Sequence, residues 1–194
     1  MLKVRIIVTT TRHVNPRVRS LANDLARALP DAIRVNRGKS NIVELAEKAR
    51  ACEAKSVLIV GRGLHGNPGR LVFLAIMEDE FFFYPIIISL AGVKLARELR
   101  IKVAPVSFEK FSVAVLENAS SAAKDFALSL SEALQVNYTE SSSLKFLAPV
   151  FDRLLFVEET NMEKIPYLVK FVKPSGKADG PFLKVSRVLY KAPI

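Results

Sequence analysis

The 194-residue chain has no tryptophan, a single cysteine, two histidines and three methionines. One cysteine rules out a disulfide framework, and one cysteine with two histidines cannot furnish a four-ligand zinc site. Long apolar runs are also missing. The N-terminal stretch Ile6–Val8 is too short for a signal sequence, and Phe81 to Val93, which follows Glu78-Asp79-Glu80, falls below the roughly 20 residues that span a bilayer. Aromatic residues are absent from the first 72 positions, since all 12 Phe and 4 Tyr lie at Phe73 or later. A first half without aromatics has few means of reading nucleic acid by stacking bases.

What is present is positive charge, unevenly placed. The whole chain carries 29 Lys+Arg against 19 Asp+Glu, a net of +10. Residues 1–70 hold 14 of those cations and 5 of the acids, a net of +9, which leaves 15 against 14 for residues 71–194. Ten arginines sit in that first third. Guanidinium groups suit bidentate contact with phosphate, so a partner with a dense phosphate backbone is the leading reading, and general solubility is the plain one. With 50% apolar and 25% charged residues the chain has the composition of a folded, cytoplasmic protein of one domain or two small halves.

Periodicity predicts an alternating β-α-β-α-β series over the first 60 residues. Val4–Thr9 reads as a strand, and Asn15-Pro16 opens a helix to Leu29 whose apolar face is Val18, Leu21, Ala22, Leu25 and Leu29. Ile33–Val35 reads as a strand, Asn41 to Cys52 as a helix with Cys52 in the core, and Val57–Val60 as a third strand. Leu71–Met77 and Phe81–Leu90 look like a buried hairpin that places Phe81–Phe83 in the core. Further on, Val93–Leu99 reads as a short helix, Val103–Phe108 and Ser112–Leu116 as strands, Ala119–Leu134 as a helix and Tyr138–Ser143 as a polar break. Leu144–Val150, Leu154–Val157, Ile165–Lys173 and Phe182–Tyr190 read as strands. The predicted class is α/β with a largely parallel sheet in the first half.

Two local patterns imitate nucleotide sites. Gly61-Arg62-Gly63-Leu64-His65-Gly66 spells the glycine spacing of a dinucleotide turn, but Asn67-Pro68-Gly69 and a strand-like run follow where a helix is required. Gly38-Lys39-Ser40 precedes a helix, yet Ile33 stands where a Walker loop needs its first glycine. Both loops remain suited to phosphate, the first through Arg62, His65 and Arg70 among glycines, the second through Arg37 and Lys39 at a helix start. Parallel strands would bring Thr10, Thr11 and Arg12 beside Arg37 and Lys39, with Arg17 and Arg19 on the adjoining helix. These ten residues are the expected RNA contacts. No catalytic or metal-binding residue and no cofactor is expected; neither histidine has a partnering acid or nucleophile at a recognisable spacing.

Thr9-Thr10-Thr11-Arg12, Pro16-Arg17-Val18-Arg19-Ser20-Leu21-Ala22 with Asp24-Leu25, Asn36-Arg37-Gly38-Lys39 and His65-Gly66-Asn67-Pro68-Gly69 together resemble the Brix-domain family in its compact archaeal form. The resemblance extends over the chain and weakens after Gly92. It implies a single domain, 1–194, of two similar α/β halves with mixed sheets, a basic one over about 1–92 and a near-neutral one over about 101–194. Each half would resemble the anticodon-binding fold of class IIa aminoacyl-tRNA synthetases. It also implies a ribosome-biogenesis factor without enzymatic activity that binds pre-ribosomal RNA, in some members with a guide RNA, and works alongside other assembly proteins, with no membrane partner. Where the family carries a Gly-Pro-Arg element in its last hairpin, Phe182 follows Gly180-Pro181 directly. A nucleotide-binding enzyme using Gly61–Gly69 or Gly38–Ser40, and a protein-interaction scaffold, are the alternatives.

Overall fold

The computed structural model describes residues 4–193. Strand β1 (Ile6–Thr10) alternates its side chains between two apolar layers: Ile6 and Val8 face one helix, Ile7 faces another on the opposite side. Helix α1 (Pro16–Ala28) starts where Pro16 can sit without losing a helical hydrogen bond, and covers the first layer with Val18, Leu21, Ala22 and Leu25. β2 (Ala32–Arg34), α2 (Ile42–Ala51) and β3 (Ser56–Arg62) follow, with β2 and β3 flanking β1 in parallel. Leu45, Ala46 and Ala49 of α2 seal the second layer. An antiparallel pair, β4 (Pro68–Ile76) and β5 (Phe81–Lys94), completes this half.

The second half repeats the plan. β6 (Phe111–Leu116), α3 (Ser121–Leu134), β7 (Asn137–Ser141), β8 (Arg153–Met162), β9 (Ile165–Val172) and β10 (Ala178–Leu189) follow in that order. β6 is parallel to β7 and β8, and β8, β9 and β10 run antiparallel in turn. β5 and β10 pair antiparallel, so one ten-stranded mixed sheet runs β2-β1-β3-β4-β5-β10-β9-β8-β6-β7. α1 and α3 lie on the same face and share one core. α2 covers the other face in the first half, and a 3-10 turn at Leu144–Leu147 does so in the second. Among the described residues, no helix is long and apolar enough to cross a membrane.

Several expected elements differ. Leu144–Val150 forms that 3-10 turn rather than a strand, because Leu144, Leu147 and Phe151 recur at helical spacing and dock together on Leu154 and Phe156. Most of Tyr138–Ser143, read as a break, belongs to the edge strand Asn137–Ser141; it pairs on one side only, so its outer edge tolerates polar residues. Val93–Leu99 is not a helix, since pairing of Phe182 with Lys94 prolongs β5 and only a turn at 96–100 remains. Val103–Phe108 is an unpaired connection around Pro105, anchored by Val103 and Val106 against the core. Cys52 is exposed, not buried: α2 ends at Ala51, and Cys52 turns out of the apolar face as its C-cap while Ala54 fills the core. Of Phe81–Phe83, the outer two pack on the α2 layer, whereas strand alternation leaves Phe82 42% exposed.

Candidate nucleic-acid interface

The parallel arrangement of β2, β1 and β3 puts the ends of all three strands on one rim. Thr10, the last residue of β1, is buried there, and the loop after it is pinned on both sides. Thr11 donates its N–H to the Val60 carbonyl at 3.0 Å. Arg12 crosses to the loop before α2, where Nη2 donates to the carbonyls of Lys39 (2.7 Å) and Ser40 (3.3 Å). Arg37 holds the same turn from within, through Nε to the Ser40 carbonyl at 3.2 Å. Gly38, at φ +56°, supplies the left-handed step that lets this turn reverse.

Between the loops opens a cleft of about 430 Å³. Its walls carry Arg12, Arg19, Arg34 and Arg37 with His13 and Asn36, and no carboxylate lines it. Burial lowers the pKa of Arg37, helped by the charge of Arg12; burial likewise lowers that of Arg34, helped by Arg19. The guanidiniums thus repel one another across a partly desolvated space, and an anion entering it would relieve that repulsion. α1 adds to the field. It has no acidic residue in its first turn, and the side chain of its N-cap, Asn15, accepts no hydrogen bond from the helix.

The β3–β4 loop lies alongside. A Cβ on Gly66 would fall 1.9 Å from Asn15 Nδ2, and one on Gly69 only 2.3 Å from the Gly63 Cα, so this loop closes tightly on itself and on the start of α1. His65 is exposed on it, and Arg62 and Arg70 are exposed on the strand ends that flank it. Strand β4 starts at Pro68, leaving no room for the helix that a dinucleotide turn requires.

Thr10, Thr11, Arg12, Arg19 and Arg37 therefore meet at one cleft, and Lys39 reaches it through its carbonyl to Arg12. His65 stands on the neighbouring loop, with Arg62 and Arg70 on the strand ends beside it. Arg17 points elsewhere: it pairs with Glu98 at 2.5 Å and donates to the Val93 carbonyl at 3.2 Å. Asp24 grips the same turn, accepting the Ala96 N–H at 2.8 Å, so the first and third turns of α1 clamp residues 93–98. Sequence reasoning missed Arg34. Its place at the end of β2, beside β1, was a usable signal, because a side chain there must lie at the rim; it donates to the Val8 carbonyl at 3.3 Å.

No family model matches the chain. Among curated proteins, a probable Brix domain-containing ribosomal biogenesis protein of Pyrobaculum aerophilum is 23% identical over 187 residues, 96% of each chain. The likewise named protein of Aeropyrum pernix is 36% identical over 93 residues, 48% of this chain and 51% of that one. A crystal structure of a probable ribosomal biogenesis protein from Aeropyrum pernix superposes with a TM-score of 0.74 at 26% identity, covering 98% of this chain and 99% of that one. The chain is a homologue of archaeal Brix domain-containing proteins. Mil, an archaeal Imp4-like protein, shares the fold, with a TM-score of 0.62 at 18% identity over 95% of this chain and 99% of its own. The Brix-domain likeness thus spans the whole chain, including the second half, where the sequence motifs fade.

Proposed function

We propose that this protein is an RNA-binding ribosome-biogenesis factor of the cytoplasm that holds the phosphate backbone of pre-ribosomal RNA and assists its folding, pairing or assembly. The observation that carries the reading is the cleft of Arg12, Arg19, Arg34 and Arg37, whose charges face one another with no carboxylate between them. The names of its relatives as ribosomal biogenesis proteins support the same direction. Backbone recognition suits a surface rich in arginine and poor in aromatics, since phosphate contacts position a partner without reading bases. Thr10 and Thr11 frame the cleft, Lys39 widens its field, and Arg62, His65 and Arg70 extend the path along the β3–β4 loop. The two halves, residues 1–194, act as one domain. A guide RNA and other assembly proteins are partners of this reading; catalysis is not part of it.

Fluorescence anisotropy with a labelled single-stranded ribosomal RNA fragment tests the proposal. Arg37→Glu with Lys39→Glu should weaken binding about tenfold or more. Undiminished binding would show that the cleft is not the contact. Tight stoichiometric binding of ATP or NAD without RNA retention would instead favour a nucleotide-dependent enzyme.

A further inference from the structure

Strand register relates the rims of the two halves position by position. Asn15 and Ser120 are both N-caps, nine residues after the first positions of β1 and β6. Ser56 pairs with Ile6 as Arg153 pairs with Phe111, and Arg34 pairs with Val8 as Tyr138 pairs with Val113. Carried along the strands, this register sets Glu117 at the place of Arg12, Glu159 at that of Arg62 and Glu140 at that of Asn36. Lys124 takes the place of Arg19, and Tyr138 and Ser141 those of Arg34 and Arg37. The cationic rim of the first half is an acidic rim in the second.

Two of these carboxylates are engaged within the chain. Glu159 accepts the Ser120 N–H at 2.9 Å and the Ser120 hydroxyl, so it closes the N-terminus of α3. Those two bonds hold its pKa below the usual carboxylate range. Glu140 takes Lys124 at 2.7 Å and the Tyr138 hydroxyl at 2.8 Å, which neutralises the cation equivalent to Arg19. The corresponding end of α1 has no such internal anion. Groups already paired offer little to a basic partner, whereas their charge repels phosphate.

We propose that Glu117, Glu140 and Glu159 keep RNA off the equivalent rim of the second half, so that each chain carries one phosphate path and presents its RNA on the first half alone. The inference rests on the RNA-binding reading of the first-half cleft. The carboxylates are specificity-determining residues: they make a duplicated fold single-sited.

Native mass spectrometry with a short single-stranded RNA at low salt reads the number of strands per chain. The full chain should bind one. The variant Glu117→Arg/Glu140→Asn/Glu159→Arg, which installs the residues of the first half, should bind two, and should restore binding to a chain disabled by Arg37→Glu/Lys39→Glu. Because Glu159 closes α3, Glu117→Gln/Glu140→Gln/Glu159→Gln serves as the milder variant; its amides keep hydrogen-bonding capacity and should admit a second, weaker strand. One strand on both folded variants, without restoration, overturns the proposal while leaving the first-half reading intact. A wild-type chain that binds none refutes the first-half reading, and this inference falls with it.

Discussion

Ser56 and Arg153 occupy the same position in the two halves, the first residue of β3 and of β8, and each closes the end of the other half's helix. Ser56 Oγ donates to the Ala133 carbonyl of α3 at 2.6 Å, and Arg153 Nη1 donates to the Ala28 carbonyl of α1 at 3.1 Å. Carbonyls in a last helical turn lack partners within the helix, so a donor from the opposite half ties each terminus across the molecule. Arg153 does more, because its Nε pairs with Asp179 at 2.7 Å and its Nη2 reaches the Ala104 carbonyl at 2.8 Å, all at 2% exposure.

The two positions should differ in cost. Arg153→Ala strands the largely buried Asp179 carboxylate and frees the carbonyls of Ala28 and Ala104, for a loss of about 3–5 kcal/mol. Ser56→Ala removes one neutral hydrogen bond and leaves one buried carbonyl, a loss of about 1–3 kcal/mol. Urea denaturation of the two variants gives the comparison; equal losses would mean that Arg153 is not the central tie.

Two arginines on α1 should separate in an RNA-binding assay. Arg19→Gln removes a cleft cation and should lower affinity and flatten the dependence of log K on log[salt] by roughly 0.7 for a single strand. Arg17→Gln breaks the Glu98 pair and should leave that slope unchanged. A matching slope loss in both would place Arg17 on the RNA path as well.

Alkaline stability should report on Tyr84. Burial, and then its hydrogen bond to Glu132, push its pKa from about 10 up to about 12. A raised pKa means that the folded state favours the neutral phenol, so the stabilisation is complete below about pH 10 and fades as pH rises toward 12. Tyr84→Phe should therefore show a shallower fall in melting temperature than the native chain between those limits. A parallel fall in both proteins would remove Tyr84 from the alkaline response.

Gly180 marks where α1 rests on β10. A Cβ there would lie 2.5 Å from the Phe171 Cβ and 3.1 Å from the Ala28 Cβ. Gly180→Ala should cost about 1–3 kcal/mol through overpacking, with RNA affinity at saturating folded protein unchanged. Calorimetry combined with anisotropy separates the two effects.

The first half was largely legible from sequence because its apolar residues repeat at helical and strand periods; α1 was expected at Pro16–Leu29 and is found at Pro16–Ala28. β7 and the turn at Leu144–Leu147 were not, since an edge strand needs little apolar surface and a 3-10 turn is too short to display a clear period. The cleft could be anticipated from the order of strands and the charge count. The pairing of Arg17 could not be read from sequence, because its partner, Glu98, lies 81 residues away and only the fold brings them together. The internal repeat survives in the core, where Ala22, Leu25, Ala28 and Leu29 recur as Ala127, Leu130, Ala133 and Leu134, and is lost at the rims, where equivalent positions hold Arg12 and Glu117, Ser56 and Arg153.

The antiparallel seam between β5 and β10 has a consequence for how this molecule can be divided. Cutting the connection at residues 95–110 and separating the pieces would bare the inner edge of a fourteen-residue strand, a template for uncontrolled pairing, and would strip α1 and α3 of their distant caps. Each half is thus the other's missing subunit. The protein behaves as a dimer whose two members share one backbone, and expressing either alone should yield aggregate in place of a smaller working copy.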